Sequence, residues 1–318
     1  MISSAGRVAP QVPEADCLVT GGTGLVGNNV VRLLLNRGRR VRVLDDFSTG
    51  NAANLARIWR EIEVIEGSLE SPGAVGRAVT GATEIVHLAA RSSVAESIGA
   101  RELYERVNVA GTRTLLEAAA RARVRRFVLA ASSSAYGDHP APHDESLAPR
   151  PMSPYAETKV AAEALVRECS AAGAVDGVSL RFFNVYGTRQ DPNSPYAAVI
   201  ARFMSRISAG LPVTVFGDGL QTRDFIHVSD TARAILAAIE APGPLAGAVV
   251  NIGTGRAASI VTLARLVGAV VGARAAVEHA PARPGEVRDS VADTGRAQAL
   301  LGFHAVTRLE DGLALMCR

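Results

Sequence analysis

The chain has 318 residues, of which 48% are apolar and 20% are charged, with a net charge of +3. It can form one large or two unequal lobes, and without a Lys/Arg block interleaved with aromatic residues it is not expected to bind nucleic acid. The three cysteines are far apart and no CxxC or His cluster is present, which predicts reduced thiols, a cytoplasmic location and no metal. No apolar run reaches the roughly 18 residues of a membrane span, and no secretory signal is expected.

Predicted strands and helices alternate along most of the chain. Strands are predicted at 16–20, 40–45, 62–66, 84–89, 126–131 and 177–183, and helices at 24–37, 72–80, 101–122 and 154–172. This alternation predicts an α/β fold, a Rossmann-type doubly wound parallel sheet with helices on both faces. After residue 187 the pattern loosens, which predicts a smaller C-terminal lobe with longer loops, where substrate specificity usually resides.

A glycine-rich segment connects the first predicted strand to the first predicted helix. Gly21, Gly24 and Gly27 have a G-x-x-G-x-x-G spacing, which allows a backbone to approach a pyrophosphate at the positive end of a helix. Asp45 ends the next predicted strand, and a carboxylate there can accept hydrogen bonds from adenosine ribose hydroxyls and would repel a 2′-phosphate. The pattern predicts NAD rather than NADP as cofactor. The alternative is a structural turn with a surface aspartate.

Three polar side chains suggest chemistry on an alcohol. Ser132 follows the predicted strand 126–131, and Tyr155 and Lys159 are one helical turn apart on the predicted helix 154–172. A phenol has a pKa near 10, so a nearby ammonium and a positive nicotinamide ring would be needed to lower the pKa and favour phenolate. The serine hydroxyl can relay or orient the proton. This set suits proton removal from an alcohol while hydride passes to NAD; an ordinary helix face is the alternative.

Lysine usage supports this interpretation. Of the 34 Lys and Arg residues, Lys159 is the single lysine. A lysine that persists among so many arginines is expected where a bulky, planar guanidinium cannot replace a compact ammonium. Chance survival at the surface is the alternative.

Longer motifs add a family resemblance that extends from Cys17 to about Gly312. They are VTGGTGLVG, LDDFSTGN, VHLAA, NVAGT, SSSAYGD, SPYAETK, RFFNVYGTRQDP, FGDGLQTRDFIHVSD, NIGTG and RPGEVRDSVAD. With these motifs the chain resembles the extended short-chain dehydrogenase/reductase family, in particular its nucleotide-sugar 4-epimerase branch. The resemblance implies an NAD-binding Rossmann domain at 1–180, a mainly nucleotide-sugar-binding lobe at 181–318 with a segment near 225–250 returning to the first domain, and a homodimer.

The resemblance also implies roles for individual positions. Ser132, Tyr155 and Lys159 match the catalytic residues of the family. The expected cofactor-binding residues are Gly21, Gly24, Leu25, Val26, Gly27, Asp45, Asp46, Ser48, Thr49, Gly50, Ser68, Leu69, Leu88, Ala89, Ala90, Tyr155 and Lys159. The expected substrate-binding residues are Ser133, Ser134, Asn184, Ala198, Val199, Thr214, Phe216, Arg223, Arg283, Glu286 and Ser290, and the two arginines would hold the diphosphate of a UDP-sugar.

The reaction implied by the resemblance is NAD-dependent 4-epimerisation of a UDP-sugar through a 4-keto intermediate. A dehydratase or decarboxylase of the same fold is one alternative, but such enzymes usually carry an acid immediately after the catalytic hydroxyl residue, where this chain has Ser133 and Ser134. A non-catalytic NAD-binding protein is the other alternative.

The identity of the sugar depends on two positions. Ser290 matches a position that borders the sugar ring in the epimerase branch, and a small residue there leaves room for a 2-N-acetyl group. UDP-N-acetylglucosamine is therefore expected to fit as well as UDP-glucose. Arg91 stands where the family usually has a neutral residue. Its side chain is expected either to contact the cofactor pyrophosphate or to lie at the protein surface. If it points into the pocket instead, its charge would favour the carboxylate of UDP-glucuronate.

Overall fold

The computed structural model describes residues 15–190, 199–282 and 287–317. Its strands are β1 (Ala15–Thr20), β2 (Val41–Asp45), β3 (Glu63–Glu66), β4 (Ala82–His87), β5 (Arg126–Ser132), β6 (Asp176–Phe182), β7 (Asn184–Tyr186), β8 (Val213–Phe216), β9 (Thr222–His227), β10 (Ala248–Ile252), β11 (Ala257–Ser259), β12 (Val277–Ala280) and β13 (Asp289–Ser290). Its α-helices are α1 (Leu25–Asn36), α2 (Pro72–Val79), α3 (Val94–Gly99), α4 (Arg101–Tyr104), α5 (Gly111–Arg121), α6 (Pro154–Ala171), α7 (Val199–Ser208), α8 (Val228–Glu240), α9 (Ile260–Val271), α10 (Gly295–Leu301) and α11 (Leu309–Met316). A π-helical turn spans Glu105–Ala110, and 3₁₀ segments span Ala52–Glu61 and Ser133–Tyr136.

Seven parallel strands form the central sheet, in the order β10-β6-β5-β4-β1-β2-β3. The predicted doubly wound α/β fold is confirmed. The chain moves outward in one direction from β1 through β2 and in the other from β4 through β5, so the strand order reverses between β1 and β4. Ligands of such sheets bind outside the carboxyl ends of the strands at this reversal.

Side chains alternate between two cores, one on each face of the sheet. Val19 and Val86 belong to the core that includes residues of α1 and α8. Leu18 and Ile85, each one position away, belong to the core that includes residues of α2, α5 and α6. Strand side chains point alternately to opposite faces, so runs that are apolar at every position are buried on both sides.

The chain after β6 contributes to two regions. β9 pairs with β7, β11 and β13, and β8 pairs with β12. A third apolar cluster forms around α7 and α9 and includes Phe203 and Leu263. By contrast, β10 pairs with β6 at the edge of the central sheet, and α8 supplies Ile235 and Ile239 to the core that contains α1. The predicted domain bounds at 180 and 181 stay a prediction.

Two predicted elements differ from the structure by more than one residue at an end or in the type of helix. The predicted helix 101–122 consists of α4, the π-helical turn and α5. The strand predicted at 84–89 ends at His87, because the amides of Leu88 and Ala89 turn toward the Thr20 hydroxyl, each at 3.2 Å. Across the described ranges, no helix combines the length and apolarity that crossing a membrane requires.

Candidate active site

The glycine-rich loop lies between β1 and α1, at the strand-order reversal. Gly21 has a φ of +70°, and a Cβ on this residue would lie 2.7 Å from the Ala89 amide nitrogen. A Cβ on Gly27 would overlap the Gly21 carbonyl oxygen. Both positions therefore require glycine for close packing. α1 begins after Gly24 with no side-chain cap and no acidic residue in its first turn, which leaves its positive end open to an anion.

Asp45 lies at the carboxyl end of β2 and is 6% exposed. Its carboxylate accepts hydrogen bonds from the Thr23 amide at 2.9 Å, the Thr23 hydroxyl at 2.7 Å and the Phe47 amide at 2.9 Å. A carboxylate has about four acceptor positions, so about one remains for a ribose hydroxyl. Asp45 thus also fixes the glycine loop against β2, a role that the sequence did not reveal.

A cavity of about 410 Å³ extends along this edge of the sheet, and we call it the first cavity. Every residue predicted to bind the cofactor lines it, from Gly21 in the glycine loop to Lys159 on α6. The lining also contains residues that were not predicted: Leu44, Gly67, Ser92, Val107, Ala130, Ala131, Phe182, Phe183 and Val185. Arg91 lines this cavity as well.

Ser132, Tyr155 and Lys159 meet at one end of the first cavity. Ser132 ends β5, while α6 begins at Pro154 behind the capping hydroxyl of Ser153 and presents Tyr155 and Lys159 one turn apart. The Lys159 ammonium donates a hydrogen bond to the Ala130 carbonyl at 2.9 Å and lies 5.9 Å from the centroid of the Tyr155 ring. The three predicted catalytic side chains are therefore brought together by two adjacent elements.

Burial has the largest effect on the pKa values of Tyr155 and Lys159. Burial raises the pKa of Tyr155 above its usual value, and a hydrogen bond with Ser132 opposes that rise. Burial also lowers the pKa of Lys159 to about 8, opposed by the charge of Glu163 one turn further along α6. The expectation that the ammonium and the positive nicotinamide ring together lower the pKa of Tyr155 stays a prediction, because in the protein alone burial has the larger effect and raises this pKa. Within the protein alone, Tyr155 keeps its proton at neutral pH.

A second cavity, of about 380 Å³, adjoins the first. Both cavities are lined by Ser132, Tyr155, Phe182 and Phe183. Five of the residues predicted to bind substrate line the second cavity: Ser133, Ser134, Asn184, Arg223 and Ser290. The Ser132 and Tyr155 side chains thus lie where the two cavities meet.

The other predicted substrate residues divide into two groups. Val199 on α7 and Thr214 and Phe216 on β8 are not part of the described lining of the second cavity. Ala198, Arg283 and Glu286 lie outside the described residues. Val94, His143, Met152 and Val287 line this cavity without having been predicted.

Comparison with known proteins identifies the family. The family model described as "NAD dependent epimerase/dehydratase family" matches residues 17–253. This chain belongs to that family. The UDP-glucose 4-epimerase of Mycolicibacterium smegmatis is 37% identical over 93% of this chain and 96% of its own length, and a dTDP-glucose 4,6-dehydratase of Streptomyces niveus is 36% identical over 93% and 90%. The solved structure of MoeE5 in complex with UDP-glucuronic acid and NAD has a TM-score of 0.85 and 38% identity, covering 95% of this chain and 97% of that chain.

The cofactor of this epimerase/dehydratase-family enzyme is NAD. The residues present fit it. The uncapped first turn of α1 can bind the pyrophosphate, and Asp45 has an acceptor position for ribose. The first cavity is lined by residues of both and also by Tyr155 and Lys159. Among the described residues, no group of three metal-binding side chains is present.

Two residues that hold the elements of this site together were not predicted from the sequence. Asn108 lies on the π-helical turn, and its side-chain oxygen accepts a hydrogen bond from the Arg91 amide at 2.8 Å. Its side-chain nitrogen donates to the Arg91 carbonyl and to the Thr158 hydroxyl, each at 3.0 Å. It thereby ties the loop after β4 to the helix that carries Lys159. The NVAGT motif was the available signal, but helical periodicity alone does not distinguish a π-helical turn, which is frequent at functional sites.

His87 is the second of these residues. It is buried between the Thr20 hydroxyl at 2.8 Å and the Thr112 hydroxyl at 2.9 Å, and Thr112 donates its own proton to the Asn108 carbonyl. Burial, aided by the charge of Lys159, lowers the pKa of His87 to about 3. Its imidazole is therefore neutral and holds β1, β4 and α5 together behind the first cavity.

Proposed function

We propose that this enzyme catalyses the NAD-dependent 4-epimerisation of a UDP-sugar. The observation that carries the proposal is the junction of the two cavities at Ser132 and Tyr155, combined with the absence of Asp and Glu from the described lining of the second cavity. A 4,6-dehydration needs an additional acid beside the sugar, and the decarboxylases of this fold usually carry one there as well. Here the residues after Ser132 are serines.

In this proposal each side chain has a defined task. Arg223, on β9, binds the diphosphate of the UDP-sugar, and Ser290 lies opposite Arg223 in the register of β13 and β9. Tyr155 takes the proton of the sugar 4-hydroxyl, Ser132 orients that transfer, and Lys159 supplies a fixed positive charge beside the phenol. NAD bound in the first cavity would supply the hydride acceptor and donor for C4, and the sugar would have to turn about its diphosphate link for hydride to return to its other face.

One assay separates the candidate reactions. The purified enzyme is incubated with UDP-glucose, UDP-N-acetylglucosamine or UDP-glucuronate without added NAD. The proposal expects the C4 epimer. A dehydrated or decarboxylated product would support the alternative enzymes of the same fold, and no product with any sugar would support a non-catalytic NAD-binding role. The predicted homodimer and cytoplasmic location stay predictions.

Purified protein is expected to carry close to stoichiometric NAD without supplementation. An epimerase regenerates its cofactor in every cycle, and loss of the reduced cofactor in mid-cycle would leave a keto sugar stranded. Acid release of the cofactor followed by ultraviolet absorbance of the supernatant measures its content. Protein that is purified free of NAD and binds it only weakly would instead indicate a net dehydrogenase.

We also propose that the second cavity admits UDP-N-acetylglucosamine as well as UDP-glucose. Ser290 is 9% exposed and lines this cavity, so a larger side chain at this position would fill space beside the sugar. Arg91 lines the first cavity and is not in the described lining of the second, which supports a contact with the cofactor rather than with a sugar carboxylate.

Ser290→Tyr should therefore discriminate between the two sugars. Overpacking costs about 1–3 kcal/mol, so KM for UDP-N-acetylglucosamine should rise roughly 5- to 150-fold while turnover of UDP-glucose is spared. Steady-state kinetics with both sugars measures the difference, with Ser290→Ala as the control that keeps the space open. Equal losses on both sugars would show that Ser290 does not gate the pocket.

A further inference from the structure

The hydroxyl of Ser132 accepts two hydrogen bonds from a single neighbour. The Ser134 amide donates to the Ser132 Oγ at 3.2 Å, and the Ser134 hydroxyl donates to the same oxygen at 2.9 Å. A serine hydroxyl has two acceptor positions and one proton. With both acceptor positions filled, Ser132 can act toward the active site only as a donor.

The partner for that proton is Tyr155. Both side chains line the first and the second cavity, and the interaction with Ser132 opposes the rise in the pKa of Tyr155 that burial causes. We propose that Ser134 is a positioning residue that holds the Ser132 hydroxyl with its proton directed at the Tyr155 oxygen. This inference rests on the proposed function, because it assigns Ser134 a part in the reaction of that site.

The arrangement decides between two roles for Ser132. A relay would require Ser132 to accept the proton of the sugar hydroxyl, and this would break one of the bonds from Ser134. An orienting donor needs no such change. The proton therefore passes from the sugar 4-hydroxyl directly to the phenolate oxygen of Tyr155, Ser132 keeps its own proton, and the hydride of C4 leaves to NAD. The bond from Ser134 polarises Ser132 and strengthens its donation to the phenolate.

Local structure explains why Ser134 has this position. Ser132 caps the 3₁₀ turn Ser133–Tyr136, and this turn brings the backbone amide and the hydroxyl of Ser134 back toward the Ser132 oxygen. The turn is held independently of Ser134, because the Tyr136 hydroxyl donates to the Asn251 side chain at 2.6 Å and the Arg150 amide donates to the Ala135 carbonyl at 2.8 Å. Removing the Ser134 hydroxyl should therefore leave the turn folded, with the amide bond still present.

The test compares Ser134→Ala, Ser134→Thr and Ser133→Ala with the wild-type enzyme on UDP-glucose over a range of pH. Ser134→Ala should lower kcat about tenfold with little change in KM, since one hydrogen bond is lost. It should also move the acid limb of the profile to higher pH, because a less stabilised phenolate raises the pKa of Tyr155.

Two control variants accompany this measurement. Ser134→Thr, which keeps a hydroxyl, should restore both kcat and the position of the acid limb. Ser133→Ala should leave the position of the acid limb unchanged, because the Ser133 side chain makes no hydrogen bond to Ser132 within the described chain.

A spectroscopic titration keeps this inference separate from the proposed reaction. Phenolate absorbance is followed with pH in NAD-loaded wild type and Ser134→Ala, and the signal of Tyr155→Phe is subtracted from each. The Tyr155 phenolate should form at higher pH in Ser134→Ala, and this result holds even if no sugar is epimerised. An unshifted phenolate, or a rise in KM with kcat unchanged, would overturn the inference and make Ser134 a substrate contact alone.

Discussion

Tyr155→Phe is expected to lose turnover by about 100- to 10,000-fold, the usual contribution of a general base. The fold and the NAD content should be kept, because the ring still packs edge-to-face on Tyr104, with centroids 6.5 Å apart. Only the phenolic oxygen disappears, and with it the acceptor of the sugar proton and the partner of Ser132. Steady-state turnover of UDP-glucose, measured beside the cofactor content of the same preparation, gives the result.

Two outcomes would contradict the role of Tyr155. A variant that retains more than about a tenth of wild-type turnover cannot have lost its base, given the usual size of that contribution. A variant that loses NAD together with activity would show that the hydroxyl serves mainly to bind the cofactor. Circular dichroism and thermal unfolding of both proteins exclude a loss of fold as the cause.

Lys159→Arg should also be strongly impaired although the charge is kept. Lys159 is 6% exposed, and its ammonium donates to the Ala130 carbonyl at 2.9 Å. A guanidinium is larger and planar, so it cannot occupy this position without displacing Tyr155 or the bound cofactor. A displacement of about 1 Å can cost about 100-fold in rate, and we expect a loss of that order in kcat. Turnover near the wild-type value would refute the argument from the single lysine.

The pH dependence of Lys159→Arg supplies an independent measurement. Because burial lowers the pKa of Lys159 to about 8, the ammonium of the wild-type enzyme loses its proton as the pH rises through that value. Wild-type turnover should therefore decline above about pH 8, where the positive charge beside the phenol is lost. The guanidinium does not titrate in this range, so the residual turnover of the variant should lack this alkaline decline.

The sequence by itself determined the parts of this enzyme that depend on local spacing. The glycine loop, with Asp45 ending the next strand, predicted the cofactor edge of the sheet, and every predicted cofactor residue lines the first cavity. Tyr155 and Lys159 share a helix face because they are four residues apart, and alternating strands and helices predicted the parallel sheet. These patterns are readable because helix and strand periods fix which side chains are neighbours within a few residues.

Only the tertiary structure decided how distant segments complete the site. The second cavity needs β5, α6, β9 and β13 together. Val199, Thr214 and Phe216 are not in its described lining, and the substrate-binding role that the resemblance implies for them stays a prediction. Asn108 forms hydrogen bonds with Arg91 and Thr158, which lie on different segments of the chain, and Arg91 lines the first cavity. The direction in which the protein itself shifts the pKa of Tyr155 was also decided at this level, because burial of the phenol raises it. Burial and contacts between residues far apart in the chain depend on packing, which no local spacing encodes.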